Sequence, residues 1–574
     1  MTADKAQYLQ KAIDAIQDVF KDDYPLLSLP FPDISFLSEE EENYRSGMYY
    51  ISIGDKWQIN LNFGKLSNNY KEFQNEVKVL ARHEIEHYRT CPFNVITHFR
   101  MIKTVLKSLN ETTNKELRCP DNIASNIANQ ISDVIIDTKN YKRYSKETLE
   151  SEIEWIKKGG KGLFKNAPRH NKLMFLLKQS LWQQDLKLNE TDRCLLEKVD
   201  KLTNEFNAVG NTNSTNLLDL TKSYTNLFQH LYELDMIDKK NQQKQNLDDL
   251  GTASPNSDSS QEQNSDSQSD SIPAKNGKDE NGEFLFQDSE QIENAVNQLA
   301  QESSFGEFCS TLESAGIKQL NENDKKIIWF EQQNVDAIPL EEKISKGSKS
   351  EMSYPAPWRI GEPIEDLDLL LTLQIFPKII PGVTTKKWEK HLNEIPLDEK
   401  KEADLLLVID RSGSMGKLSD TNSNLHITVL ASFGFVKYFE QKNSDVALIS
   451  FSDNALIVNW TKEYDQIKET LLLDGGGSTY FPETQIKKLL QKKLVNTVMV
   501  IITDGEIVNW KSTLRLFQKI LSLGNKIFLF IINNPGIINN YKDLKKYGGC
   551  VENANSVDDI RNIVFQKIKY TNKI

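Results

Sequence analysis

Five consecutive residues, His83-Glu84-Ile85-Glu86-His87, place two imidazoles four positions apart in the run EFQNEVKVLARHEIEHYR (72–89). The apolar spacing of that run predicts a helix. On a helix both rings share one face and can grip a single tetrahedral zinc ion. Glu84, beside the first histidine, is placed to take a proton from an attacking water while the ion polarises a carbonyl group. Tetrahedral zinc needs a third protein ligand. Asp133 and Asp137, in the helix-like stretch ANQISDVIIDTKN, are also four apart and share a face. His98 is a fallback nitrogen in the next predicted helix. From the residues alone three uses stay open: a zinc-dependent hydrolase, a zinc ion kept for structure, and a solvated helix face with two histidines.

A second group of oxygens lies far along the chain. Asp410-Arg411-Ser412-Gly413-Ser414 follows the apolar run LLLVI. A carboxylate and two hydroxyls at alternate positions, at the end of a strand, can converge on a hard divalent cation such as Mg²⁺. Two later loops add oxygens. Thr479 follows a glycine run, GGG at 475–477, that can bend sharply, and Asp504 follows the run TVMVIIT.

The elements that must carry these groups divide into four regions. Residues 1–240 read as mostly helical, with one small β-patch, MYYISIGDKWQINLNFG (48–64), alternating about a Gly-Asp turn as a hairpin does. In the zincin pattern that this arrangement resembles, such a sheet edge lies above the HExxH helix and can receive an extended substrate as an added strand. Residues 241–283 are rich in Ser, Asp, Gln and Asn and poor in apolar residues, the composition of a disordered linker. Residues 284–401 begin with two helical stretches, EQIENAVNQLAQE and NDKKIIWFEQQ. They then become extended and proline-punctuated, with no catalytic constellation. Residues 402–574 alternate apolar strands (405–410, 446–452, 455–460, 497–504, 527–533) with amphipathic helices. That pattern predicts a mostly parallel, doubly wound sheet with its ligand site beyond the carboxyl ends of the strands. The fold class expected is therefore multidomain, α+β followed by α/β.

Composition narrows the function. A formal net charge of -12 argues against a general binder of nucleic acid. The opening residues lack the basic start and apolar core of a signal peptide, and the longest apolar runs are too short to span a membrane. Cys91, Cys119, Cys194, Cys309 and Cys550 are scattered, which suits free thiols in the cytoplasm. No GxxxxGK[ST] occurs. The glycine clusters at 159–162 and 475–477 continue wrongly for a P-loop, so ATP binding through a P-loop of its own is not expected.

The C-terminal pattern resembles the von Willebrand factor A (VWA) family, whose metal-ion-dependent adhesion site reads DxSxS…T…D. Asp410, Ser412, Ser414, Thr479 and Asp504 stand in that order over about 170 residues. The resemblance implies a divalent cation, Mg²⁺ or similar, whose open position is completed by an acidic residue of a protein partner. The N-terminal pattern is similar to gluzincin metallopeptidases, which implies Asp133 as the third zinc ligand and Asp137 as the carboxylate that orients a ligand histidine. Gluzincins commonly carry Glu where Asp133 stands. The metzincin alternative wants a histidine at the position of Phe93. Together HEIEH, SDVIID, PWRIGEP…IPGVTT and DRSGSM resemble the bacterial VWA-like metallopeptidase proteins associated with MoxR-type AAA+ ATPases. That implies a zinc peptidase acting on polypeptides with an ATPase partner. The alternatives are a non-enzymatic VWA adaptor and a chelatase-like subunit of an AAA+ complex.

Overall fold

The computed structural model describes residues 3–25, 31–38, 49–53, 57–62, 69–112, 115–157, 167–188, 190, 192–208, 214–248, 277–278, 289–317, 320–334, 350–359, 362–375, 379–392, 403–491, 493, 496–505, 507–557 and 559–560. The chain forms two compact units, Met1–Gln332 and Gln333–Ile574.

The first unit is mostly helical. Its central helix, Tyr70–Arg89, starts where the Asn69 side chain accepts a hydrogen bond from the Lys71 amide, and it stops just before Cys91-Pro92. Phe73, Val77, Leu80, Ala81 and Ile85 form its buried stripe. They pack on Ala12, Ala15, Ile16 and Val19 of the helix Ala3–Asp18 and on Ile59 and Leu61 of a small sheet. That sheet holds β1 (Asp33–Phe36), β2 (Tyr49–Ile53), β3 (Trp57–Leu61) and β4 (Gly277–Lys278) in the order β1-β3-β2-β4. Strands β2 and β3 are the antiparallel pair expected from the alternation at 48–64, and their Gly-Asp turn lies outside the described residues. β1 was not foreseen. β4 meets β2 at Tyr50 and Ile51, so that edge is partly occupied by the chain itself.

The helix Tyr70–Arg89 also packs against the helix Ala124–Arg143, which in turn meets the helix Arg169–Trp182. The boundaries differ from the sequence reading. Residues 241–248, expected in the linker, continue the helix Ser214–Asp248, and 249–276 and 279–283 lie outside the described residues. The helices Ser289–Gln301 and Glu322–Gln332 belong to the first unit, with an unforeseen helix, Phe305–Ser314, between them. Arg100 pairs there with Glu302.

The second unit opens with an antiparallel ribbon, β5 (Ser350–Pro357) and β6 (Lys386–Leu392), flanking a short helix, Leu369–Ile375. A six-stranded sheet follows: β7 (Asp404–Asp410), β8 (Val446–Phe451), β9 (Ala455–Thr461), β10 (Thr497–Thr503), β11 (Lys526–Ile532) and β12 (Cys550–Ala554). The order is β12-β11-β10-β7-β8-β9, parallel throughout except for β9. Five strands match the sequence reading to within a residue; β12 was not foreseen, because CVENA has no continuous apolar run.

Every residue of β7 is buried. Leu406 and Val408 face a cluster built with Ile486, Phe517 and Ile520 from two helices and Phe481 from the loop before the first of them. By alternation Leu405, Leu407 and Ile409 point to the other face, and the helix Asn424–Gln441 packs against β7. At its amino end, Asp404 receives the Lys493 ammonium at 2.7 Å and the Asp445 amide at 3.0 Å. After β7 the chain builds outward through β8 and β9, then returns to β10 on the other side. The carboxyl ends of β7 and β10 therefore flank the switch point where such sheets bind ligands.

Phe481 sits at the centre of this core, its ring 5.5 Å from both Phe451 and Phe517. Phe481→Ala should cost about 3–5 kcal/mol. The loss should appear as a lower denaturant midpoint for the second unit, followed by the emission of Trp460 and Trp510; an unchanged midpoint would contradict this packing.

Candidate functional site

The HExxH face is buried. His83 is 4% exposed, Glu84 2% and Glu86 1%, which removes the solvated-face alternative. Burying so many polar groups is costly unless each is partnered. Glu86 accepts from Lys139 at 2.7 Å, Arg89 at 2.8 Å and Tyr24 at 3.1 Å. Burial alone would raise its carboxyl pKa, but Lys139, Thr90 and Arg89 outweigh it and hold the group below its ordinary value.

The two histidines are oriented from behind. His83 Nδ1 lies 2.6 Å from Asp137 Oδ1, and His87 Nδ1 lies 3.0 Å from the Cys91 carbonyl oxygen. Both partners are acceptors, so each ring carries a proton on Nδ1 and turns Nε2 forward, where its lone pair holds either a second proton or a cation. The two Nε2 atoms are 3.1 Å apart, and Asp133 Oδ1 lies 3.4 Å from that of His83 and 3.3 Å from that of His87. Three ligand-type atoms thus form a nearly equilateral triangle. Ligands about 2.0–2.2 Å from a tetrahedral zinc ion are spaced about 3.3–3.5 Å from one another. The donor set and its spacing fit that ion. A Glu84 carboxylate oxygen lies within 4.8 Å of ligand atoms of both histidines. Glu84 shares that neighbourhood, but Asp133 is the acid that closes the short triangle. His98 is buried on the helix Val95–Asn110.

The pocket favours positive charge. Burial opposes the imidazolium of His83, yet Asp137 and Asp133 outweigh it and lift the group to about 10. Burial would raise the Asp133 carboxyl, but hydrogen bonding to His83 and His87 holds it far below the usual range. Behind Asp137 stands a residue the sequence reading missed. Lys178, 1% exposed, donates to Asp137 Oδ2 at 2.5 Å and lies 3.6 Å from the buried Glu152. The available signal was a lone lysine inside the apolar run LMFLLKQSLW.

In the second unit Asp410 is fully buried at the end of β7. Its Oδ1 accepts from the Ser412 amide at 2.8 Å and its Oδ2 from the Thr503 hydroxyl at 2.6 Å. The Ser412 and Ser414 hydroxyls are 3.1 Å apart, and Ser414 donates to Asp504 Oδ1 at 3.1 Å. Asp410, Ser412, Ser414 and Asp504 are therefore brought together at the switch point. Burial raises the Asp410 carboxyl and the negative charge of Asp504 adds to that, against the hydrogen bonds from Thr503 and Ser412. A cation between the two carboxylates would relieve the repulsion.

The loop carrying Thr479 is fastened to the same turn. The Gly413 amide donates to the Gly477 carbonyl at 3.0 Å and the Gly476 amide to the Arg411 carbonyl at 2.8 Å. The Arg411 guanidinium donates to the Asp474 carbonyl at 3.0 Å, and Asp453 accepts from the Ser478 amide at 2.8 Å. Arg411, Asp453 and Thr503 were not singled out from sequence, although Asp453 stands two residues beyond a strand end on the ligand side. The glycines are steric requirements. A Cβ at Gly475 would lie 2.1 Å from the Arg411 carbonyl oxygen, and Gly477 has φ +89° with Asp453 in the space a side chain would fill.

Residues 405–506 match the family model described as von Willebrand factor type A domain. That segment is a VWA domain. Among solved structures, the SpRpn10 VWA domain is similar over 28% of this chain and 94% of its own, at 14% identity and a TM-score of 0.23. The pilus adhesin SpaC from Lactobacillus rhamnosus GG is similar over 30% of each chain, at 17% identity and a TM-score of 0.24. No curated protein matches the chain significantly. Among the described residues no helix is long and apolar enough to cross a membrane.

Gly475→Ala must displace the glycine loop from Arg411. Strain of about 1–3 kcal/mol corresponds to roughly ten- to hundredfold weaker Mg²⁺ or Mn²⁺ binding, readable by titration calorimetry. Wild-type affinity in this variant would separate the loop from the cation site.

Proposed function

We propose that the first unit is a zinc-dependent hydrolase of peptide bonds, and that the VWA domain recruits a protein partner through a divalent cation. The observation that carries the hydrolase reading is the triangle of His83 Nε2, His87 Nε2 and Asp133 Oδ1, with the Glu84 carboxylate beside it. Three protein ligands with a further carboxylate beside them is the composition of catalytic zinc sites, which keep one position open. Zinc, when bound, supplies Lewis acidity to the scissile carbonyl and the attacking water. Glu84 accepts the water's proton on its carboxylate and returns it to the leaving amine. Asp137 keeps the His83 proton on Nδ1, and the Cys91 carbonyl does the same for His87. Polypeptide is the substrate class.

In the VWA domain, Asp410, Ser412, Ser414, Thr479 and Asp504 are the cation ligands, directly or through water, and an acidic residue of the partner completes the shell. Mg²⁺ or a similar hard ion suits this oxygen set. A MoxR-type AAA+ ATPase is the proposed partner, supported by the sequence resemblance and by a chain with no P-loop; the location that goes with it is cytoplasmic.

One observation favours a second reading. Glu84 and His83 are almost wholly buried, as expected of zinc kept for structure in a non-enzymatic adaptor or chelatase-like subunit.

Elemental analysis of the purified chain should find about one zinc per chain, lost in His83→Ala/His87→Ala. Glu84→Gln should retain zinc and lose peptide cleavage. Cleavage that survives Glu84→Gln would exclude Glu84 as the base, and a zinc-loaded chain without cleavage whose partner-dependent function is unaltered by that change would favour the adaptor. Mg²⁺ should raise the melting temperature of the wild type but not of Asp410→Ala, because a ligand at a hundred times its Kd stabilises by about 2.7 kcal/mol. An equal rise in both would exclude Asp410 as a ligand.

A further inference from the structure

A lysine buried to 1% exposure in the middle of the helix Arg169–Trp182 is unusual, because an ammonium loses its hydration there and needs close anionic partners. Lys178 has them. Its Nζ donates to Asp137 Oδ2 at 2.5 Å and lies 3.6 Å from Glu152 Oε1, and Glu152 is itself fully buried. Asp137 is thereby held at both ends, since its other oxygen receives His83 Nδ1 at 2.6 Å. We propose that Lys178 is a positioning residue of the zinc site, acting through Asp137 to fix the His83 ring and to supply the counter-charge the pocket requires. This inference rests on the zinc reading of the triangle.

Two physical needs meet in this one side chain. The first is orientation. A carboxylate with one oxygen unfixed can rotate away from an imidazole N–H; an ammonium on the second oxygen locks the plane that His83 must share. A partner of this kind behind a metal-ligating histidine sets both its tautomer and its basicity. The ammonium also draws charge from Asp137, which keeps the shared proton on His83 Nδ1. The second need is electrostatic. Asp137 and Glu152 are buried carboxylates beside the Lys178 ammonium, with Asp133 across the His83 ring, and the ammonium offsets part of their charge.

The test uses the full chain and reads zinc affinity by competition with a chromophoric chelator, in the wild type, Lys178→Met, Asp137→Asn and the double variant. Lys178→Met should weaken zinc binding about ten- to hundredfold. In the Asp137→Asn background the same change should add no more than about twofold, because the lysine acts through that carboxylate. Lys178→Arg should recover part of the loss. Wild-type affinity in Lys178→Met, or an equal loss in both backgrounds, would overturn the proposal. Removing the ammonium leaves Asp137 and Glu152 buried together. If circular dichroism shows Lys178→Met unfolded, Lys178→Met/Glu152→Gln takes its place with the same loss expected, and unchanged affinity there overturns the proposal equally. Failure of the zinc reading looks different: the wild type itself binds no zinc, or binds it as tightly after His83→Ala/His87→Ala.

Discussion

Asp137 is divided between two positive or proton-bearing partners, and the geometry of the first unit's site depends on that division. One oxygen receives the Nδ1–H of His83 and the other receives Lys178. If Asp137 were drawn wholly toward the lysine, His83 could change tautomer and present a proton where the proposed zinc ion requires a lone pair. His87 is handled by a neutral acceptor, the Cys91 carbonyl, supplied by the chain as it leaves the same helix. The two rings thus reach the same tautomer by different means, one through buried charge and one through backbone.

The two candidate sites obtain convergence differently. In the first unit, helix periodicity does most of the work: positions four apart on Tyr70–Arg89 and on Ala124–Arg143 face each other across one helix contact. In the VWA domain no helix face is involved. Sheet topology sets β7 beside β10, so that Asp410 and Asp504, remote in sequence, end at one point. The donor atoms differ accordingly. Imidazole nitrogens with a single carboxylate suit zinc, whereas hydroxyls and carboxylates suit a harder ion.

Much of this was readable from local pattern. The i, i+4 spacings of His83/His87 and Asp133/Asp137 specify which side chains share a face, and the apolar runs of β7, β8, β10 and β11 specify a buried parallel sheet. What was not readable is what depends on distant packing. Lys178 and Glu152 come from helices outside both motifs, and no spacing rule links them to Asp137. Arg411 looked like a variable position within DxSxS, yet its backbone carbonyl and guanidinium fasten the glycine loop. The polar run at 241–283 suggested a domain boundary, but the helices at 289–332 pack with the first unit, because their apolar faces find their partners there. β12 escaped detection because an edge strand covered on one side needs few apolar residues.

β7 poses a problem of alignment that its own apolar residues cannot solve. In a strand with one wet face, a slip of one residue turns apolar side chains into water, and the pattern corrects itself. Leu405 to Ile409 are buried on both faces, so hydrophobicity is nearly indifferent to where the strand stops along its axis. The two aspartates remove that degeneracy. Asp404 is tied to Lys493 at one end and Asp410 to Thr503 and Ser412 at the other. Sliding in either direction would drag a carboxylate into hydrocarbon, at a cost of several kcal/mol. The strand therefore works as a gauge block cut to length between two charges: the acid at the candidate cation site also helps fix the register of β7 between β8 and β10.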